Sequence, residues 1–207
     1  MTTTPRWSAA ALLVSLSACA PAPTAGGPAP GVPAAAAASP QDLFWENLRA
    51  HCGGAYPGRL VVEPEGDEML TGTEELIVHF RECSDTILRL PFHIEKEATG
   101  TWDRSRTWVF RRTAEGLELR HDHRHEDGTP QADTWYGGHT QTRGAPDRQE
   151  FVYTARTAPD GSLLGWRVEI LPGRRYTYGT IRGPAWTWRV DFDLTQRVPV
   201  PPAPWGH

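Results

Sequence analysis

The feature that most constrains the fold of this chain is an alternation of apolar and polar residues. In its clearest instance, residues 186, 188, 190, 192 and 194 are Trp, Trp, Val, Phe and Leu, and the residues between them are threonine, arginine and aspartate. Successive side chains of a β-strand point to opposite faces of the sheet, so a period of two predicts a strand with one buried face. The chain is therefore expected to fold as a sheet that is apolar on one side.

Runs of the same kind recur along the chain, and turn sequences such as Asp127-Gly128 and Asp160-Gly161 separate them. The other runs begin at Leu60, Leu76, Leu88, Trp108, Leu117, Phe151, Leu164 and Tyr176. About nine short strands without helices between them are typical of antiparallel barrels and sandwiches. Sequential hairpins that each bury one face form an up-and-down barrel, so we predict an all-β, lipocalin-like or calycin-like barrel, with a β-sandwich as the alternative.

Two details of this pattern carry predictions of their own. Pro91 lacks an amide hydrogen and predicts an edge or a bulge in the run from residue 88 to residue 94. Tyr136-Gly137-Gly138-His139 predicts an ordinary glycine turn, with a tight bend that directs His139 as the alternative.

One short helix is expected before the first strand. Ser39 is a good N-cap residue, and Asp42 places negative charge in the first turn. Phe44 and Leu48 lie four residues apart and share one face, and Gly53-Gly54 ends the run. The globular domain is therefore expected to span residues 39–207, with a Pro-rich strap from residue 198 onwards.

The first eighteen residues have the form of an export signal peptide, with one positive charge at Arg6 and a short apolar stretch at residues 9–16. At about eight residues this stretch is far shorter than the roughly 20 needed to span a bilayer. The segment Leu16-Ser17-Ala18-Cys19 resembles the lipobox of bacterial lipoproteins, and the resemblance implies that Cys19 is acylated and becomes the mature N-terminus. A soluble secreted protein cleaved near the same place is the alternative.

Residues 19–38 follow as a tether, since Ala, Pro and Gly dominate them and cannot form a core. By the same lipoprotein resemblance, the alanine at position 20 implies outer-membrane sorting in a Gram-negative cell. The predicted location is the cell envelope, facing the periplasm, and the predicted partner is the lipid bilayer, through acylated Cys19.

The chain carries 21 basic and 25 acidic residues, which gives a net charge of −4. A mildly acidic protein lacks the basic patch that nucleic-acid binding requires, so nucleic acid is not an expected partner. Besides Cys19, the sequence contains only Cys52 and Cys83. An even pair in an oxidising compartment predicts one disulfide, with two free buried thiols as the alternative.

The most unusual segment is His121-Asp122-His123-Arg124-His125. On a strand its three histidines share one face and extend the inward, apolar stripe of the preceding leucines. A hairpin around Thr113–Gly116 pairs Trp108 with His121 and Arg106 with His123. We therefore predict a ligand site formed by Arg106, Trp108, His121, His123 and His125.

Distances restrict what these histidines can bind. Same-face neighbours on a strand are roughly 6.6 Å apart and the outer pair about 13 Å apart, whereas zinc–nitrogen bonds measure about 2.1 Å. Two neighbours can therefore share a divalent metal such as zinc, and a third ligand must come from elsewhere. The predicted metal set is His121, His123 and His139, with His93 and Glu126 as other sources of the third ligand.

Three classes of function remain open at this stage. The preferred one is a small-ligand or metal-binding module. The alternatives are a metal-dependent hydrolase that uses two of the three histidines and a structural envelope protein without a ligand. The sequence contains no Gly-x-Ser-x-Gly motif and no phosphate-binding loop, so catalytic residues are not assigned and binding is preferred to catalysis.

The segments Phe44–Leu48, Ser105–Trp108 and His121–Gly128 resemble a family of secreted proteobacterial proteins of unknown function. The likeness covers most of residues 41–205, and the run His-Asp-His-Arg-His-Glu-Asp-Gly is its most specific part. The resemblance implies secretion and the extent of the domain, and it brings no activity with it.

Overall fold

The computed structural model describes residues 1–3, 37–63, 66 and 69–207, so the predicted signal peptide and Cys19 lie outside the described residues. The compact unit Ala37–His207 contains every element named below. It opens with the helix α1 (Pro40–Arg49). The strands that follow are β1 Ala55–Val62, β2 Leu76–His79, β3 Glu82–Cys83, β4 Ile87–Lys96, β5 Thr101–Thr113, β6 Gly116–His123, β7 Tyr136–Thr140, β8 Arg148–Val152, β9 Leu164–Leu171, β10 Arg175–Arg182 and β11 Ala185–Asp193.

Ten of these strands close into an antiparallel up-and-down barrel. Each strand from β4 to β11 pairs with the next in sequence, β11 pairs with β1, β1 with β2, and β2 with β4. The short strand β3 pairs with β4 beside this ring. The predicted lipocalin-like barrel is thus confirmed, and closure through β2 and β4 excludes the β-sandwich.

One barrel strand, β7, lies outside the nine predicted runs, in the segment that was expected to form a glycine turn. That prediction is wrong because the two glycines serve a close approach between strands. A Cβ atom on Gly137 would lie 1.9 Å from the carbonyl oxygen of Leu119, and one on Gly138 would lie 2.4 Å from that of Val152. The missing side chains therefore let β6 and β8 pack tightly against β7.

The strand β4 contains the irregularity that Pro91 predicted. One side of β4 pairs with β3 at Leu88 and Arg89 and with β2 from Phe92 to Ile94. Pro91 falls in the gap between these two partners, and the register with β5 shifts just after Phe92. Proline has no amide hydrogen to donate, and it is tolerated at this position because neither β3 nor β2 pairs with it.

The helix α1 closes one end of the barrel. Ser39 and Asp42 form a capping box, in which the Ser39 hydroxyl accepts from the Asp42 amide at 3.1 Å and the Asp42 carboxylate accepts from the Ser39 amide at 3.0 Å. The apolar side of the helix is fully buried through Phe44, Trp45 and Leu48. We call this the closed end.

The predicted disulfide between Cys52 and Cys83 is confirmed, and it joins the turn after α1 to the end of β3. The C-terminal strap crosses the outer wall, where the Val198 amide donates to the Ala55 carbonyl and the Trp205 amide to the Arg104 carbonyl. The strap ends at His207, whose ring lies 2.9 Å from the Asp122 carboxylate on β6. Among the described residues, no helix is long and apolar enough to cross a membrane.

Candidate functional site

The end of the barrel opposite α1 contains a cavity of about 460 Å³ that opens to solvent, which we call the cup. Six of its thirteen lining residues carry Phe, Tyr or Trp rings, because inward positions near the ends of several strands are aromatic. The aromatic lining residues are Phe92, Trp108, Tyr136, Trp166, Tyr178 and Trp188. The cup therefore combines aromatic rings with polar side chains around an open cavity, as small-molecule sites do.

A stack of three rings crosses the barrel at the floor of the cup. Trp108 lies between Phe92, with ring centroids 5.0 Å apart, and Tyr178, with centroids 4.0 Å apart. The interplanar angles are 13° and 28°, so the three rings are nearly parallel. Phe92 and Trp108 come from the neighbouring strands β4 and β5, and Tyr178 comes from β10 across the barrel interior.

His121 forms part of the same floor, and both nitrogens of its ring are hydrogen-bonded. Its Nδ1–H donates to the Tyr136 carbonyl at 3.1 Å, so Nε2 is the acceptor for the Tyr178 hydroxyl. The ring also stacks on Tyr136, with centroids 4.5 Å apart. Burial lowers the pKa of His121 to about 3, so the imidazole is neutral at physiological pH.

The rim of the cup is polar. Arg106 lies directly opposite His123 in the β5–β6 register, as the hairpin predicted, and both line the cup. Asp103 and Ser105 each accept from Nη1 of Arg106 at 2.9 Å. Burial, and then the Arg106 charge, lower the pKa of the His123 imidazole. Gln131 completes this polar segment of the rim.

The structure brings together four of the five residues predicted to bind a ligand: Arg106, Trp108, His121 and His123. His125 does not join them. The strand β6 ends at His123, and His125 lies exposed in the following turn, where its amide donates to the Thr129 carbonyl. Strand parity therefore applies to two histidines and not to the third.

The structure does not bring His139 to His121 and His123. His139 pairs in register with Glu118, whose parity places it on the outer wall, and its Nε2 lies 3.1 Å from the Glu118 carboxylate. Both nitrogens of His121 already have hydrogen-bond partners. Within the described ranges, no group of three or more His, Cys, Asp or Glu residues could hold a metal ion.

Several cup residues were not predicted as site residues. Tyr136, Trp166, Tyr178 and Trp188 come from β7, β9, β10 and β11. Alternation marks the last three as inward-facing, but it does not say at which height in the barrel each ring lies. No sequence pattern marks Tyr136 as inward-facing, because the two glycines that follow it are typical of a turn.

No family model matches the chain, and neither does any curated protein or solved structure with which it was compared. No similar protein therefore indicates a ligand, and the side chains that line the cup are the basis for inferring what it can bind. Those residues offer stacking surfaces, one guanidinium and several hydrogen-bonding groups at the rim.

Proposed function

We propose that the chain is a small-ligand-binding module of the bacterial cell envelope, with the cup as its binding site. The observation that carries the proposal is the combination of an aromatic floor and a polar rim around an open volume of about 460 Å³. This volume lies within the roughly 300–1,000 Å³ typical of small-molecule sites, where polar groups orient a mainly apolar ligand.

The rigidity of the floor supports binding. Trp108 is held in the three-ring stack, and His121 is held by two hydrogen bonds and by Tyr136. Walls that are ordered before a ligand arrives lose little conformational entropy on binding. The same contacts occupy both imidazole nitrogens of His121, which argues for a positioning role of this ring and against proton transfer by it.

The attachment to a membrane is part of the proposal. Cys19 would carry the lipid, and the tether would enter the domain at Ser39, which lies at the closed end. The cup opens at the opposite end of the barrel, so a tethered domain would have its binding site on the side away from its point of attachment. The confirmed disulfide fits an oxidising compartment such as the periplasm.

Blocking the cup tests the binding function. Thr180 lines the cup, and Thr180→Phe would place a ring in it. The same substitution at Thr142, an exposed residue at the closed end, is the matched control. We expect a library of small aromatic compounds to contain ligands that raise the melting temperature of the wild type and of T142F but not of T180F.

Binding of the same ligands to T180F with unchanged affinity would contradict the proposed site. Nuclear magnetic resonance spectra of each variant show whether the fold is retained, so a misfolded variant is not mistaken for a blocked one.

Removing the predicted lipid attachment tests the location. We expect Cys19→Ala to move the protein from the membrane fraction to the soluble periplasmic fraction, because acyl chains supply lasting attachment. Retention of C19A in membranes after a salt wash would contradict anchoring through this residue.

A further inference from the structure

We infer that the cup selects flat aromatic carboxylates, with the ring on the aromatic floor and the carboxylate on Arg106. This inference rests on the proposed binding function and specifies the class of ligand. It follows from the shape of the walls and from the charged and hydrogen-bonding groups at the rim.

Two groups of stacked rings line the cup. The stack of Phe92, Trp108 and Tyr178 forms one surface, and the stacked pair His121 and Tyr136 forms another. Trp166 adjoins the second surface, with its ring 4.8 Å from that of His121. Aromatic rings gain most from offset-stacked or edge-to-face contacts with other rings, so a planar ligand makes more favourable contacts here than a branched aliphatic one.

Arg106 supplies the charge. It is the only arginine or lysine among the described residues that line the cup. Asp103 and Ser105 both accept from Nη1, so within the described part of the chain Nη2 and Nε are left for a ligand. A guanidinium binds a carboxylate through parallel N–H···O bonds, which makes this anion the best geometric match.

Two further groups that line the cup, Tyr136 and His123, can donate hydrogen bonds. Burial and the nearby Asp133 raise the pKa of Tyr136 to about 12, so its hydroxyl keeps its proton and can donate. His123 as a neutral imidazole contributes one N–H. Asp133 is the one carboxylate among the described residues lining the cup, and it is exposed, so solvent screens its repulsion of an anion. Asp103 lies beside the cup and already forms an ion pair with Nη1 of Arg106, which leaves the other guanidinium nitrogens facing a ligand.

The test compares two probes of the same shape, 2-naphthoate and the neutral 2-naphthamide. Binding to the full domain is measured by quenching of tryptophan fluorescence and by calorimetry. We expect the wild type to bind 2-naphthoate at least about tenfold more tightly than 2-naphthamide, because hydrogen bonds between two charged groups are stronger than those to a neutral amide.

Substitutions of Arg106 test whether this residue causes the preference for the carboxylate. Arg106→Gln should lower the affinity for 2-naphthoate by about tenfold or more and leave the affinity for 2-naphthamide within about twofold. Arg106→Lys keeps the positive charge but not the planar guanidinium with its parallel donors, so it should retain part of the preference that R106Q loses. Arg182→Gln removes one positive charge at the same end of the barrel from a residue that pairs with Asp160 outside the cup, and should change neither affinity.

Equal affinities of the wild type for the two probes would overturn the inference, as would equal losses of both in R106Q. Neutral aromatic ligands that bind the wild type but not T180F, together with no binding of 2-naphthoate, would overturn it and leave the proposed function standing. Binding of 2-naphthoate that T180F does not weaken would overturn both.

Discussion

The two ends of the barrel use similar residues for different purposes. At the closed end, Phe44, Trp45 and Leu48 of α1 fill the interior completely, and the disulfide joins the neighbouring loops. At the open end, rings such as Trp108 and Tyr178 surround a space. Aromatic side chains stabilise the fold at one end, whereas at the other they line a surface that a ligand can cover.

The open end also has exposed apolar side chains around its opening. Val61, Met69, Trp135 and Leu163 are each between 39 and 53% exposed; Val61, Trp135 and Leu163 lie at or next to strand ends on this side, and Met69 lies in the connection between β1 and β2. Trp135 has a φ of 60°, a left-handed conformation that is unfavourable for a side chain of this size. We therefore expect substitutions of the fully buried residues of α1 at the closed end to lower the free energy of unfolding more than substitutions of these exposed residues at the open end.

The largest expected effect is that of Phe44→Ala, which empties a fully buried site under α1. Loss of the ring and the resulting cavity should lower the free energy of unfolding by about 3–5 kcal/mol. Leu163→Ala at the open end, where the side chain is 53% exposed, should change it by no more than about 0.5 kcal/mol. Urea denaturation measures both, and similar losses would contradict the comparison.

Replacing both Cys52 and Cys83 by alanine should lower stability by roughly 3–4 kcal/mol, because the crosslink restrains the unfolded chain over a separation of 31 residues. Binding of 2-naphthoate under native conditions should stay within about twofold of the wild type. Wild-type protein measured with and without a reductant is the control. A folded double variant that no longer binds would show that the two ends are coupled.

The third expected effect is a dependence of stability on pH, due to His121 at the boundary between core and cup. Its folded pKa of about 3 lies below the ordinary histidine pKa of about 6.5, so between these values the unfolded chain binds more protons than the folded one. Stability therefore falls as pH drops below about 6.5, and the His121 contribution should amount to about 2 kcal/mol between pH 7 and pH 5.

His121→Gln should remove this contribution and flatten the curve of unfolding free energy against pH. His125→Gln, a change in the same segment at an exposed position, should leave the curve unchanged. A curve for H121Q as steep as that of the wild type would show that the acid sensitivity arises from other buried histidines.

The smallest expected effect is at Trp135. Glycine adopts a φ of 60° without strain, so Trp135→Gly should leave stability unchanged or raise it by up to about 1 kcal/mol. Trp135→Val places a β-branched residue in the same conformation and should lower stability. Differential scanning calorimetry of the two variants checks this order, and the reverse order would show that the indole ring stabilises the loop.

Local patterns predicted much of the fold correctly. The Thr113–Gly116 hairpin and its pairs, from Arg112 with Leu117 to Arg106 with His123, follow from a short turn between two alternating runs. The Ser39 cap and the disulfide likewise follow from residue types and spacing. The strand β7 was missed because Gly137 and Gly138 are typical of turns, and only the neighbouring strands show why they are needed.

The sequence by itself determined which side of each strand faces inward, and therefore that Trp108, His121 and His123 share the barrel interior. Only the tertiary structure decided which end of that interior is filled and which is open. The alternation of side chains is a local property with a period of two residues. The position of α1 and the meeting of β10 with the β4–β5 pair across the barrel depend instead on contacts between residues far apart in the chain, which no short pattern records.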